Sequence, residues 1–140
     1  MGIKQVELVP FQVTPITPAG KSVRVKAFTV ARTETVAALK AMLPAQSSVI
    51  GVKVFGSVAS DAGTSATLTI TITDHSGTVS SGAYDVKTNG ASTGEITMSG
   101  LPNLEKSPSQ GDLKVSAVYA ESGTASGTGG PWNVIVEYLD

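Results

Sequence analysis

GDLKVSAVYAESGTASGTGGPWNVIVEYLD, residues 111–140, holds two runs of strand-forming residues on either side of a loop of Gly, Ser, Thr and Ala. In the first run Leu113, Val115, Ala117 and Tyr119 alternate with Lys114, Ser116, Val118 and Ala120. In the second, Trp132, Val134, Val136 and Tyr138 alternate with Asn133, Ile135, Glu137 and Leu139. Successive side chains of a strand point to opposite faces, so each run offers one row of Val and aromatic residues for burial. Two such runs joined by a Gly-rich loop predict a β-hairpin with a long connection. The stretch supplies a core and two edges, and no catalytic pattern.

The same alternation recurs upstream. Between Ser65 and Thr73, Leu68, Ile70 and Ile72 face Thr67, Thr69, Thr71 and Thr73, the pattern of a half-buried antiparallel strand with one wetter face. Asp74-His75-Ser76-Gly77 then closes a hairpin, with Gly77 free to take positive φ. Weaker strands are expected around Ala83–Lys87 and Glu95–Ser99, followed by a loop from Leu101 to Gly111 that holds Pro102 and Pro108. Ser48 to Gly56 reads as a strand with Ile50, Val52 and Val54 inward, and GSVASDAG after it as a turn-rich connection. Ser22 to Ala31 is another strand. Val23, Val25 and Ala27 lie on one side until Phe28 and Val30 reverse the pattern, which suggests a bulge or a passage between two sheets. TETVAALKAML, residues 33–43, has helical spacing at Val36, Leu39 and Leu43, with Thr33 or Thr35 as a cap. It also alternates at Ala37, Leu39, Ala41 and Leu43, and its β surroundings favour strand. Two segments resemble each other: Ala59-Ser60 and Gly63 stand where Ala125-Ser126 and Gly129 stand later. Two similar hairpins would pack as facing halves of a sandwich.

Residues 1–20 form a separate unit, an extended arm with Pro10, Pro15 and Pro18, ahead of a single domain over 21–140. Val6, Leu8, Phe11, Val13 and Ile16 are too apolar for a solvated tail, so the arm must lie on its own domain or on a neighbour. Fully extended, it reaches about 65 Å. A chain of 140 residues buries enough surface for a core without staples. With no cysteine, disulfides, thiolate catalysis and Cys-ligated zinc are excluded, and the redox compartment stays open. A net charge of −1 argues against a nucleic-acid-coating surface. Charged residues make up 15%, well below the ~25% usual in soluble domains, which suits a surface partly covered by neighbours. No apolar run is long enough to span a bilayer, and MGIKQVELVP has neither a secretory pattern nor, with Val6 at the sixth position, a myristoylation signal.

Residues with chemical potential are scattered. His75 is the single histidine and sits in a predicted turn without a nucleophile or metal partner beside it. The eleven acids include no calcium-loop spacing, although Asp61 and Asp112 could assist an ion from loops. Gly123, Gly127, Gly129 and Gly130 lead into a strand rather than a helix, unlike a phosphate cradle. Trp132, Tyr119, Tyr138 and Tyr84 could make a sugar-stacking platform, but Trp132 fits a core or subunit-interface position better. No cofactor, metal or catalytic residue is expected, and the chain does not read as an enzyme.

VYAESGTASGTGGPWNVIVEYLD, together with LPAQSSVIGVKVFGSVASDAGTSATLTI, resembles small β-rich virion proteins of tailed bacteriophages that decorate, or cement, the capsid. The likeness covers roughly Phe28 to Asp140 and rests on hairpins and Gly-Ser-Thr connections rather than on catalytic residues. It implies an all-β fold, a single antiparallel β-sandwich of jelly-roll type carrying an extended N-terminal arm. It also implies a homo-oligomer, trimer or dimer, on the exterior of the virion, made in the host bacterial cytoplasm and bound to the major capsid protein of the same phage. No nucleic-acid or membrane partner is expected. Val6, Leu8, Pro10 and Phe11 of the arm, with Trp132, are the expected contacts to capsid or an adjacent copy. The alternative is a carbohydrate-binding module of a head fibre or tail that reads the host surface.

Overall fold

The structure, a computed structural model, describes residues 22–101 and 112–140. Eight strands follow one another: β1 (Val23–Val30), β2 (Ala38–Leu43), β3 (Ser48–Phe55), β4 (Ser65–Thr73), β5 (Val79–Asp85), β6 (Thr93–Ile96), β7 (Leu113–Ser122) and β8 (Trp132–Leu139). They form two four-stranded antiparallel sheets, ordered β1-β8-β3-β6 and β2-β7-β4-β5, packed as a sandwich. β1 pairs with β8, β2 with β7, β3 with β6 and β4 with β5, as if one long hairpin with its apex between β4 and β5 had been rolled up. The remaining ladders, β8 with β3 and β7 with β4, join the coils of that roll. This connectivity is a jelly roll.

Local sequence explains the apex. Asp74 follows β4 and its Oδ1 accepts the N–H of Ser76 (3.0 Å), the N–H of Thr78 (2.8 Å) and the Ser76 hydroxyl (2.8 Å). Gly77 completes the turn at φ +92°, a conformation a Cβ would strain. The inner faces meet in one core. Leu68, Ile70 and Ile72 of β4 and Val115, Ala117 and Tyr119 of β7 pack opposite Val52 and Val54 of β3 and Trp132, Val134, Val136 and Tyr138 of β8. Each inward row expected for β4, β7 and β8 is the buried row, with the threonines of β4 half-buried on the outside.

Four expectations need correction. The hairpin read in 111–140 does not form: β7 and β8 lie in different sheets, and the Gly-rich loop between them is an arch across the sandwich. The same holds for the related segment from β3 to β4, so the two similar segments are arches running in opposite senses, not facing hairpins. β1 has neither bulge nor crossing. It keeps an unbroken register with β8, burying Val30 and half-burying Phe28, while Val23 and Val25 stand on the outer face. Ile50 is exposed rather than inward because it is the extra residue of a β-bulge between Val49 and Gly51. Within 33–43 the strand reading holds for Ala38–Leu43 and the preceding residues turn. Lys40 is the extra residue of a second bulge and forms an ion pair with Glu34.

Candidate functional site

Both arches lie at one end of the sandwich and are bonded to each other. The N–H groups of Gly63 and Thr64 donate to the carbonyls of Thr124 (2.7 Å) and Ser122 (2.9 Å), and Gly130 N–H donates to the carbonyl of Val58 (3.0 Å). Asp61 Oδ1 accepts the N–H groups of Gly127 (2.8 Å) and Thr128 (2.9 Å), led by the Thr128 bond in holding its carboxyl below the usual range. Arg32 reaches over from the β1–β2 connection and donates to the carbonyls of Ser126 (3.1 Å) and Gly127 (2.9 Å). The glycine-rich loop is therefore held by Asp61 and Arg32. Both Asp61 and the glycine-rich loop serve the fold there.

Beneath the arches sits a polar cluster that sequence reasoning missed. Tyr119, fully buried, donates its hydroxyl to Glu121 Oε1 (2.6 Å). With that proton committed, Ser60 Oγ, 2.7 Å away, donates to the tyrosine oxygen. Ser126 donates its hydroxyl to Glu121 Oε1 (2.6 Å) and its N–H to Oε2 (3.0 Å). Burial, and then the bond to Glu121, push the Tyr119 hydroxyl up. The Ser126 hydroxyl, then that of Tyr119, hold Glu121 below its ordinary range. Ser60 and Ser126 occupy equivalent places in the two related segments, and both serve this cluster. That repetition was the one signal of it in the sequence.

A carboxylate with a depressed folded pKa contributes stability that is complete above its unfolded value and is lost as pH falls through the folded one. The ordinary values are 4.5 for Glu121 and 3.8 for Asp61. Thermal stability is therefore expected to be flat above about pH 5 and to fall steadily below about pH 4. Glu121→Gln should flatten that acid limb in melting curves. A variant as acid-sensitive as the parent chain would rule out this carboxylate as a contributor.

Among the described residues no pocket opens on the surface, and no three His, Asp or Glu side chains gather as metal ligands. His75 lies exposed in the β4–β5 turn. Trp132 is in the chain's own core, not on a contact surface. Its ring stacks on Tyr119 at 5.6 Å and 12°, and its Nε1 donates to the Gly90 carbonyl (2.9 Å). Gly90 is needed there, since a Cβ would overlap the Val86 carbonyl and press on the indole nitrogen. Tyr84 and Tyr138 are buried as well, so the four aromatics make no sugar-stacking platform. Val6, Leu8, Pro10 and Phe11 lie outside the described residues.

No family model, curated protein or solved structure matches this chain. The surface itself must carry the functional reading.

The two outer faces differ in charge. On the β1-β8-β3-β6 sheet, Glu137, Lys53 and Glu95 cluster, with Lys53 Nζ 3.3 Å from Glu137 Oε1. On the β2-β7-β4-β5 sheet, Ser116, Val118 and Ala120 lie beside the threonine row, and Ser81 and Ala83 lie beyond it. Lys114 and Asp85 place charges at the two ends of that face, opposite Thr73 and Thr67. Its β2 margin adds Leu39 and Met42, 57% and 41% exposed. The result is a face uncharged across its middle, with Leu39 and Met42 at its β2 margin beside the Lys40–Glu34 ion pair. Among the described residues no helix is long and apolar enough to cross a membrane.

Proposed function

We propose that this chain is a structural virion protein that binds and stabilises the assembled capsid of a tailed bacteriophage. The observation that carries the reading is the outer face of the β2-β7-β4-β5 sheet, charge-poor across its middle, with Leu39 and Met42 at its margin. Charge is depleted at the core of protein–protein interfaces, which limits the desolvation cost of docking, and a charge-poor face suits such a contact. The sequence resemblance to capsid decoration proteins points the same way, and the jelly roll is one of the folds on which capsid modules are built. That last support is an analogy of fold, since one fold hosts many functions.

Purified empty heads of the phage that encodes the chain test the proposal by co-sedimentation. The chain is expected to saturate the heads. Val118→Glu or Leu39→Glu, each placing an unpaired charge in the docking face, should weaken retention by about tenfold or more. Ile135→Glu, on the opposite sheet, should leave it unchanged. A chain that stays in the supernatant overturns the proposal.

A further inference from the structure

β1 is the outermost strand of its sheet and, among the described residues, pairs with β8 alone. Ser22 and Asp140 exchange both backbone hydrogen bonds, at 3.1 Å each. From that pair the antiparallel ladder alternates, so Arg24, Lys26, Phe28 and Val30 bond to β8. Val23, Val25, Ala27 and Thr29 turn their N–H and C=O groups to the open side. The side chains of these four lie on the outer face, where Val23 and Val25 are 59% and 56% exposed. Arg24 and Lys26, between them, are exposed too. Arg24 lies 3.4 Å from Asp140, and Lys26 makes no ion pair among the described residues.

An open strand edge of this length is a template for another strand. The order apolar, basic, apolar, basic along Val23–Lys26 specifies what fits it: a strand in which apolar residues flank an acid. Val6-Glu7-Leu8 has that pattern, inside a proline-free run from Ile3 to Val9, and Glu7 is the one acidic residue before Glu34. Paired with β1, Val6 and Leu8 would cover Val23 and Val25 while Glu7 met Arg24 and Lys26. A second β1 would not fit, because it would bring two basic rows together.

The connection favours a strand from another copy. A hairpin onto its own neighbour strand closes within about two to five residues. Residues 9–21 instead hold Pro10, Pro15 and Pro18, and an extended proline-stiffened spacer of that length covers about 40 Å. β1 itself is about 26 Å long. We propose that Val6-Glu7-Leu8 of one copy adds as a strand to the β1 edge of a second copy. The exchange closes reciprocally as a dimer or around a ring.

The test uses the full chain without phage heads, so its outcome is separate from that of the capsid proposal. Sedimentation equilibrium should show an oligomer. Glu7→Lys and Lys26→Glu should each weaken association by about fivefold. The double variant should restore it. Ala27→Pro removes an N–H that faces the open edge, not β8, so it should weaken association by about tenfold while the domain stays folded by circular dichroism. A monomeric full chain overturns the inference, as does an oligomer insensitive to all these changes or a charge swap without rescue.

Discussion

Trp132→Ala is expected to lower the unfolding free energy by about 3–5 kcal/mol, the largest effect of any single substitution considered for this chain. The size follows from three features of the site. The indole is fully buried between the sheets, and its loss removes the stack on Tyr119 at 5.6 Å. The Gly90 carbonyl would lose its donor at 2.9 Å inside the core, which adds a desolvation penalty to the lost burial. The surroundings also resist collapse into the void. Backbone at Gly56 and Gly90 already lies against the ring, and main chain pinned by the arches cannot move in as a side chain would. Trp132→Phe keeps most of the volume and should cost less, about 1–3 kcal/mol. Urea unfolding followed by far-ultraviolet circular dichroism measures both. A loss below about 1 kcal/mol for the alanine variant would contradict the burial of this ring in the core.

The second large effect is expected at the apex of the roll. Asp74→Ala removes an acceptor that binds two backbone N–H groups and a hydroxyl, and should cost about 2–4 kcal/mol. Asp74 is itself buried, so its N–H partners would not be rehydrated freely. The position also matters kinetically. β4 to β5 is the one link joining neighbours within a sheet, whereas the other consecutive strands cross the sandwich. Pairings such as β1 with β8 close nearly the whole chain and gain from any contact that forms earlier. Most of the lost stability should therefore appear as slower folding, with the unfolding rate little changed. Stopped-flow refolding of Asp74→Ala reads this directly, and a change confined to the unfolding limb would show that the turn forms late.

Both predictions bear on why the fold was only partly legible. The Asp74–Gly77 turn could be read because its cause is local: a carboxylate two residues from the N–H it caps, and a glycine where φ must be positive. The rows Leu68-Ile70-Ile72, Val115-Ala117-Tyr119 and Val134-Val136-Tyr138 could be read for the same reason, since period-two alternation records which side of a strand is buried. Alternation says nothing about which strand lies alongside, and here it misled. A strand entering a hairpin and one entering an arch have the same inward row, so β7 and β8 looked like neighbours while lying in opposite sheets.

By itself, then, the sequence determined an all-β domain, its principal inward rows and its tightest turn, because each depends on residues within one strand or one turn of each other. The tertiary structure alone decided the rolled connectivity, the outward placement of Val23, Val25 and Ile50, and the burial of Trp132. It alone brought Ser60, Tyr119, Glu121 and Ser126 together around one hydroxyl. The physical reason is range. Alternation and turn chemistry are written over a few residues, whereas an edge, a bulge or a polar cluster exists only once distant segments have chosen their partners.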